Sequence, residues 1–594
     1  MSSTLLNDLN EKQIEAVKHT TGPSVILAGA GSGKTKVLVS KVVHLIQDKS
    51  VVANSIVMIT FTNKAASEMK ERIARAFVKN KKIQLGYVGT FHAFCCRILR
   101  IDGHNLGIDR NFAIYDDNDQ QELVKWVLKK MDTKKYTPSY FLYRISAAKN
   151  QLITPNTYLE FFSDYNAAQV ADVYDQYQKL LEKNKALDFD DLLMKATTLF
   201  TRFPAVLDEY QEKYKYLLVD EFQDTNYAQY VLTKQLGAKY KNVTVVGDFS
   251  QSIYSWRGAD IRNLEKFQED FPDSQVFYLE QNYRSTQSIL NFAYEVISKN
   301  QTHPVLQLFT TNSEGEKIYT HEADNEEDES IFVSSEIQRL QEDNLYSSFA
   351  VLYRTNAQSR AIEESFLHFG IPYVLIGGVR FYDRKEIKDI LSYLRLIINP
   401  DDEIAIERIK KLGKRKWDRF KHFFAEIHST KDELTTVQIM DKVFTETSYL
   451  DLYNPDLEED YARLENIKEL KSVAINFPVL TEFLEQVALV ESEYFQGERK
   501  GNSNEGVRLM TLHQAKGLEF PYVFIVGLEE GLLPHSRSIN DMFQLEEERR
   551  LFYVGITRAK KKLYITFARR RFIFGRRTDG AKSRFLGGGE EADY

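Results

Sequence analysis

Residues 24–35 read Ser-Val-Ile-Leu-Ala-Gly-Ala-Gly-Ser-Gly-Lys-Thr. The apolar, partly β-branched start predicts a strand, the small residues predict a tight turn, and the residues from Lys36 onward predict a helix. A phosphate-binding (Walker A) loop requires this order, because small residues let backbone N–H groups converge on phosphates at a helix N-terminus. One departure from the general pattern is Ala28, which replaces its first glycine.

The residues of this loop have distinct expected roles. Lys34 would place a positive charge on the β- and γ-phosphates of a nucleotide, and the Thr35 hydroxyl would ligate Mg²⁺. A glycine-rich turn can also merely connect a strand to a helix, which is the alternative for this segment. The other candidates for nucleotide contact are Ala28, Gly29, Ala30, Gly31, Ser32 and Gly33.

Carboxylates follow a second predicted strand. The apolar run Tyr216-Leu-Leu-Val219 ends in Asp220-Glu221-Phe222-Gln223-Asp224. Open α/β sheets bind ligands at the carboxyl ends of their strands. We therefore expect Asp220 to hold the Mg²⁺ through water and Glu221 to orient and deprotonate the attacking water. The alternative is an acidic helix start that stabilises its own helix dipole.

Two further apolar runs end in polar turns. Residues 243–246 are followed by Gly247-Asp-Phe-Ser-Gln251, and residues 56–59 by Thr60-Phe-Thr-Asn63. Gln251 is suitably placed to sense a γ-phosphate. Several strands that end in polar turns indicate an α/β fold with a doubly wound parallel sheet.

The whole composition is that of a folded protein with several domains. The 594 residues correspond to about three to five domains at roughly 100–200 residues each. Hydrophobic residues make up 43% and charged residues 27%, which excludes a disordered chain. The net charge of −7 argues against coating nucleic acid by bulk positive charge, but not against a local basic groove. The basic residues of 558–577 fit a solvated face and a phosphate-contacting stripe equally well.

The sequence also bears on the cellular compartment. Its start lacks a basic and then apolar leader, and no apolar run approaches the ~18 residues of a membrane span, so we expect a cytoplasmic protein without a membrane partner. Cys95 and Cys96 are adjacent and lack metal-site spacing. We therefore expect neither a disulfide framework nor a zinc site.

Read in order, these segments resemble the superfamily 1A DNA helicases of the UvrD/PcrA/Rep type. The resemblance extends along nearly the whole chain. Its blocks are 9–17 (the adenine-reading Q motif), 60–66 (motif Ia), 89–94 (Ib), 187–192, 219–225 (II), 247–259 (III), 281–286 (IV), 511–520 (V) and 546–559 (VI). In motif III, Phe249 and Ser250 replace two residues that are usually small or acidic in the family.

The resemblance implies an ATP site, with Mg²⁺, shared by two RecA-like motor domains. Gln13 would read the adenine, Tyr283 would stack on it, and Glu519 would approach the ribose. Arg284 and Arg558 would act as arginine fingers, because phosphoryl transfer needs positive charge on the equatorial oxygens.

The resemblance also implies a set of DNA-facing side chains. Aromatic members would stack on the bases of a single strand, at about 1–3 kcal/mol per base and without sequence preference. The set consists of Phe61, Thr90, His92, Tyr254, Trp256, Arg257, Asn356, His513 and Phe574. Core packing is the alternative for each aromatic residue, and for Phe189 the sequence favours neither interpretation.

The motif order implies two motor domains of parallel sheet with flanking helices, each interrupted by a mainly helical insertion. The expected ranges are 1–105 and 187–278 for the first motor domain, 106–186 for its insertion, 279–377 and 505–586 for the second motor domain, and 378–504 for its insertion. The second insertion is shorter than usual in the family, and its residues 410–417 match the family's duplex-contacting hairpin only faintly. Residues 587–594 are predicted to form a flexible C-terminus.

The resemblance implies an ATP-dependent DNA helicase or translocase of 3′→5′ polarity that unwinds duplex or displaces bound proteins in DNA repair or replication. Its expected partners are single-stranded DNA, single/double-strand junctions, and repair or replication proteins. The alternative is an ATP-gated single-stranded DNA clamp without processive unwinding. A helicase–nuclease would need a further carboxylate-bearing domain, and a small-molecule P-loop kinase would not need Arg284 and Arg558.

Overall fold

The computed structural model describes residues 4–77, 83–132, 136–427, 431–500, 505–573 and 576–587. Phe574 and residues 588–594, for which the sequence makes predictions, lie outside these ranges. The chain divides into two compact units. The first is Met1–Arg284 with Asn300–Asn312, and the second is Ser285–Lys299 with Ser313–Tyr594.

The first unit alternates strands and helices. Its strands are β1 (Ser24–Ala28), β2 (Ile56–Thr60), β3 (Tyr87–Thr90), β4 (Ala113–Tyr115), β5 (Ala186–Asp188), β6 (Tyr216–Val219), β7 (Val243–Gly247), β8 (Gln275–Leu279), β9 (Gln281–Asn282) and β10 (Phe309–Thr310). Its helices are α1 (Glu11–Lys18), α2 (Lys34–Gln47), α3 (Asn63–Ala76), α4 (Phe91–Asp102), α5 (Asp117–Lys130), α6 (Pro138–Asn150), α7 (Tyr158–Phe161), α8 (Ala167–Lys183), α9 (Phe189–Arg202), α10 (Pro204–Lys213), α11 (Tyr227–Gly237) and α12 (Asn263–Asp270).

Six strands of this unit form a parallel sheet in the order β3-β2-β6-β7-β1-β8. Every residue of β1, β2 and β7 is buried, as expected when helices cover both faces of a parallel sheet. The loops that follow β6, β7 and β1 therefore leave the sheet at the same edge from adjacent strands.

A mainly helical segment lies between β4 and β5. Helices α5, α6 and α8 enclose a separate apolar core that includes Val124, Phe141 and Tyr174. The short parallel pair of β4 and β5 brings the two ends of the segment together, with Ala113 opposite Ala186. The segment thus begins and ends at neighbouring points of the first unit.

The second unit repeats the arrangement. Its strands are β11 (Tyr319–Ala323), β12 (Phe349–Tyr353), β13 (Tyr373–Leu375), β14 (Val507–Thr511), β15 (Phe520–Ile525), β16 (Ala559–Ala568), β17 (Arg570–Ile573) and β18 (Arg576–Asp579). Its helices are α13 (Gln287–Ile297), α14 (Glu326–Gln341), α15 (Ser359–His368), α16 (Lys385–Ile398), α17 (Glu403–Lys411), α18 (Lys414–Ile427), α19 (Thr436–Thr447), α20 (Glu458–Asn476), α21 (Leu480–Lys500) and α22 (Met542–Ile556).

The second sheet is also parallel, in the order β11-β16-β15-β12-β14-β13. Between β13 and β14 the chain forms α16 to α21, which pack around an apolar core of their own that includes Tyr393, Phe420 and Leu470. The predicted fold class, α/β with parallel sheets and flanking helices, is confirmed.

No single helix in the described ranges is both long and apolar enough to cross a membrane. One pair, α20 with the first part of α21, meets the length and composition criteria jointly, although it is bent by 116°.

A buried ion-pair cluster ties α6 to the start of α9. Lys149 Nζ lies 2.6 Å from Asp188 Oδ2 and 2.9 Å from Asp191 Oδ1, and all three side chains are buried. Burial alone would lower the pKa of Lys149, but the two carboxylates outweigh it and raise that pKa above its ordinary value. Tyr177 also donates a hydrogen bond to Asp188 Oδ2, at 2.9 Å.

We expect Lys149→Met to destabilise the first unit by about 3–5 kcal/mol, because two buried carboxylates lose their cation. Thermal and urea unfolding would measure the change. The matched control is Lys125→Met, which removes an exposed ion pair with Glu122 and should change stability by about 0–1 kcal/mol. Equal, small effects from the two substitutions would contradict the stabilising role of the Lys149 cluster.

Candidate nucleotide site and nucleic-acid interface

The loop from Gly29 to Gly33 joins β1 to α2 in the way that the sequence predicts. Gly31 has a φ of +69° and Gly33 one of +85°, values in the left-handed region that glycine adopts without strain. Gly33 is the N-cap of α2 and supplies no side-chain acceptor. The first N–H groups of α2 are therefore available to an anion at the positive end of the helix dipole.

Lys34, the first residue of α2, faces a group of carboxylates. Its Nζ lies 3.1 Å from Glu221 Oε2. Burial alone would lower the pKa of Lys34, but the charges of Glu221, Asp248 and Asp220 raise it above its ordinary value. The ammonium group thus keeps its charge beside the loop, as phosphate binding requires. The structure brings together the predicted Lys34, Asp220 and Glu221.

Asp220 and Glu221 follow β6 directly. Burial, followed by the neighbouring Glu221 charge, raises the pKa of Asp220 to about 7. Within the described residues, the buried Oδ1 of Asp220 has no hydrogen-bond partner. A buried carboxylate oxygen in this state suits a hard cation, so Asp220 fits the predicted Mg²⁺, and Thr35 is the second residue of α2. Glu221 has a φ of +51°, a strained value for a residue with a side chain and one that is frequent at functional sites.

A chain of hydrogen bonds joins Glu221 to Gln251 across the ends of β6 and β7. Gln223 Nε2 donates to Glu221 Oε2 at 2.5 Å, and Gln223 Oε1 accepts from Asp248 N at 3.1 Å. Gln251 Nε2 then donates to Asp248 Oδ2 at 2.6 Å. Gln223 and Asp248 were not predicted as site residues, although both lie inside the motif blocks 219–225 and 247–259.

The start of the chain contributes a second polar cluster beside the loop. Gln13 Nε2 donates to Ser32 O at 2.8 Å, and Gln13 Oε1 accepts from Asn10 N at 3.1 Å. Asn10 Nδ2 in turn donates to the hydroxyl of Tyr283 at 2.8 Å. Gln13 and Tyr283, which are predicted to contact the adenine, therefore lie in one cluster. They are joined by Asn10, for which no role was predicted.

Arg284 lies next to the loop, in the first unit. Asn282 Nδ2 donates to Ala30 O at 2.6 Å, and Asn282 Oδ1 accepts from Arg284 N at 2.7 Å. A Cβ built on Gly31 would lie 2.9 Å from the Cβ of Arg284. Asn282, also missed, fixes the backbone of the predicted arginine against the phosphate-binding turn.

Arg558 and Glu519 belong to the second unit. Arg558 is 1% exposed, and its guanidinium donates to Val554 O at 2.9 Å, to Leu518 O at 3.1 Å and to Thr557 Oγ1 at 3.0 Å. Glu519 Oε1 lies 2.6 Å from Lys560 Nζ. Arg558 follows α22 and Glu519 precedes β15. These two predicted nucleotide contacts thus lie near one another.

Three predicted DNA-facing aromatic side chains form a cluster after β2 and β7. The rings of Phe61 and Tyr254 are stacked, with centroids 5.9 Å apart, and Tyr254 meets Trp256 edge to face at 6.5 Å. The guanidinium of Arg257 lies 4.5 Å from the centre of the Trp256 ring. Trp256 is 40% exposed, so its ring offers a free face to solvent.

A second cluster lies where α4 and α9 begin. The rings of His92 and Phe189 meet edge to face at 6.0 Å, and Phe189 is 47% exposed, which excludes it from the core. Burial lowers the pKa of His92, so its ring is neutral at neutral pH. Thr90 Oγ1 caps α4 by accepting from Ala93 N at 3.3 Å.

The predicted DNA contacts of the second unit follow two neighbouring strands. Asn356 comes after β12 and His513 after β14, and these strands are paired with Tyr353 opposite Thr511. Both side chains are partly exposed at the carboxyl edge of the sheet. The structure therefore places Asn356 and His513 at the carboxyl edge of the second sheet. The candidates of the first unit likewise lie at the carboxyl edge of the first sheet.

Comparison with known proteins covers most of the chain. The family of UvrD/REP helicase N-terminal domains matches residues 9–272, and the family of UvrD-like helicase C-terminal domains matches residues 277–454 and 411–570. The chain is 44% identical over 638 residues to the ATP-dependent DNA helicase PcrA of Bacillus subtilis, which covers 99% of this chain and 86% of the relative.

Proteins of the same name in two staphylococci are similarly close. The identity is 44% over 632 residues for Staphylococcus aureus (strain Mu50) and 43% over 632 residues for Staphylococcus epidermidis, each covering 98% of this chain and 86% of the relative. These matches, together with the two parallel-sheet units, show that the chain belongs to the UvrD/REP family of ATP-dependent DNA helicases, whose two motor domains are RecA-like.

Proposed function

We propose that this helicase moves 3′→5′ along single-stranded DNA, where it unwinds duplex at single/double-strand junctions or displaces bound proteins during DNA repair or replication. The polarity and the cellular role are carried over from the family. The observation that supports a motor most strongly is that Gln251 of the nucleotide site and Trp256 of the exposed aromatic cluster lie in one short segment after β7. We also propose the two motor domains and their insertions with the boundaries given above.

In this proposal the first unit binds the phosphates of ATP. Lys34 and the N-terminal amides of α2 neutralise them, and Asp220 with Thr35 would hold Mg²⁺. That ion would neutralise part of the negative charge of the phosphates. Glu221 accepts a proton from the attacking water, and Gln223 keeps its carboxylate oriented through the 2.5 Å hydrogen bond.

The remaining nucleotide contacts bind the base and the transferred phosphoryl group. Gln13 and Tyr283 bind the adenine, and Glu519 approaches the ribose. Gln13 also donates to Ser32 O, so the residue proposed to bind the base contacts the phosphate-binding turn directly. Arg284 and Arg558 supply positive charge to the equatorial oxygens in the transition state.

The DNA track combines stacking faces with polar contacts. Phe61, Tyr254, Trp256 and Phe574 are the proposed stacking residues, and Phe189 joins them because its ring is exposed beside His92. The proposed polar contacts are Thr90, His92, Arg257, Asn356 and His513. Aromatic platforms suit movement along any sequence, because every base offers a π-face.

The alternative is an ATP-gated clamp that changes its DNA affinity without moving. Streptavidin displacement separates the two, with single-stranded oligonucleotides that carry biotin at either the 3′ or the 5′ end. We expect ATP-dependent displacement from the 5′ end and little from the 3′ end. Displacement mainly from the 3′ end would reverse the polarity, and none from either end would favour the clamp.

We expect Glu221→Gln to lower turnover by at least about 10²–10⁴-fold, because the amide keeps the size of the side chain but cannot accept the proton. ATP binding, measured by equilibrium titration, should persist. Glu71→Gln on the exposed face of α3 is a matched control and should leave turnover unchanged. Near-normal turnover by Glu221→Gln would contradict its assignment as general base.

We expect Trp256→Ala to uncouple hydrolysis from DNA. Stimulation of the ATPase by single-stranded DNA and strand separation should both fall steeply, whereas basal turnover should fall much less, because no phosphate contact is removed. Since Trp256 is 40% exposed, the melting temperature of the variant should be nearly that of the unsubstituted protein. A large drop in melting temperature would make Trp256 a core residue, and normal unwinding would remove it from the DNA track.

A further inference from the structure

The last turn of α6 contacts segments that carry both proposed activities. This turn belongs to the helical segment between β4 and β5, to which the proposed function gives no role in catalysis. Its final residues, Lys149 and Asn150, point to different neighbours. Asn150 reaches the segment that carries Glu221 and the turn Tyr254–Gly258, whereas Lys149 reaches the start of α9.

The link from Asn150 to the catalytic segment is a short hydrogen bond. Asn226 Nδ2 donates to Asn150 Oδ1 at 2.6 Å, and Asn226 is 7% exposed. Asn226 is the N-cap of α11, because its own Oδ1 accepts from Gln229 N at 2.9 Å. The Oδ1 of Asn226 therefore caps α11, whereas its Nδ2 bonds to α6. The segment from Glu221 to Asn226 is thus tied to α6 at its end.

Asn150 also lies beside the turn Tyr254–Gly258. Gly258, which closes the turn Tyr254–Gly258, has a φ of +86°. A Cβ built there would lie 3.6 Å from the Cβ of Asn150 and 3.7 Å from its Cγ and Nδ2, so Asn150 borders the space beside Gly258. Thr225 O also accepts from Asp260 N at 3.0 Å. The catalytic segment and the aromatic turn thus meet at Thr225 and at Asn150.

Lys149 extends this contact to the second aromatic cluster. Its ion pairs hold Asp188 and Asp191, the two side chains that form the capping box of α9. Phe189, the first residue of α9, has its ring against His92. A single helical turn therefore holds the start of α9 and lies beside the end of the Tyr254–Gly258 turn.

We propose that Asn150 is a positioning residue for DNA-stimulated ATP hydrolysis, which holds the Tyr254–Gly258 turn in register with the segment that carries Glu221. This inference rests on the proposed roles of Trp256 and Glu221. Asn150 acts through Asn226 and Gly258 and not on the nucleotide itself. In this proposal the helical segment between β4 and β5 contributes to the coupling of DNA binding to ATP hydrolysis.

Asn226→Asp tests the hydrogen bond with the least disturbance. Aspartate keeps the oxygen that caps α11 but loses the donor, so that two oxygens face each other across the contact. We expect DNA-stimulated turnover to fall about tenfold and basal turnover to change much less, whereas the buried carboxylate without a partner should lower the melting temperature. Asn150→Ala should have a similar effect, whereas Asn150→Asp, which keeps the acceptor, should retain most of the stimulation.

Two further variants sharpen the test. The double variant Asn150→Ala/Asn226→Asp should be no worse than either single variant, because both remove the same contact. Asn184→Asp is the matched control, since it removes an exposed amide donor, to the hydroxyl of Tyr115, from the same helical segment. It should leave DNA stimulation unchanged.

The outcomes also separate this inference from the proposed function. If Trp256→Ala abolishes stimulation but Asn226→Asp and Asn150→Ala do not change it, the positioning role is wrong and the motor proposal stands. If Trp256→Ala itself leaves stimulation intact, the proposed DNA track is wrong. Equal losses of basal and stimulated turnover in Asn226→Asp would contradict a role specific to coupling.

Discussion

The charge balance around Lys34 is the constraint on which the candidate site depends. One ammonium group, at the start of α2, faces the carboxylates of Glu221, Asp248 and Asp220. These groups come from the ends of β1, β6 and β7, which are adjacent in the first sheet. Because buried charges of one sign are costly without a partner, Lys34 stabilises the acidic strand ends.

A continuous set of hydrogen bonds spreads from that centre. Gln223 joins Glu221 to the backbone of Asp248, and Asp248 accepts from Gln251. From Gln251 the chain runs directly into the Tyr254–Gly258 turn, with its exposed tryptophan. Hydrogen bonds in a buried network polarise one another, so the bonds of Glu221, Gln223, Asp248 and Gln251 depend on one another. This arrangement gives a physical route from Glu221 to the aromatic cluster.

Much of the fold could be predicted from the sequence. The apolar runs 24–28, 56–59 and 243–246 have no alternation, which is typical of strands buried on both faces, and each forms such a strand in the parallel sheet. The sequence also predicts Lys34, Asp220 and Glu221 as candidate site residues, and the structure places Lys34 beside the two carboxylates. Local pattern and fold agree at these places.

The missed residues are those whose roles depend on distant partners. Asn10, Gln223, Asn282 and Asn150 are ordinary amides in sequence, and their importance arises from bonds such as the one between Asn282 and Ala30, which are 252 positions apart. Ser250, unusual for the family, donates to or accepts from His303 Nε2 at 3.1 Å, and Phe249 joins the core. Asn10, Gln223 and Asn282 lie inside the motif blocks, but a motif does not by itself identify a partner that is distant in the sequence.

The central claim is that nucleotide and DNA sites are coupled through the segment that follows β7. Reciprocal binding measures this coupling most directly. The affinity for single-stranded DNA is titrated with and without a non-hydrolysable ATP analogue, and the affinity for the analogue with and without DNA. We expect the analogue to change the affinity for DNA by a factor clearly different from one, with the reciprocal change that linkage requires, and Gln251→Ala to bring this factor close to one. Affinities that are independent of the other ligand in the unsubstituted protein would contradict it.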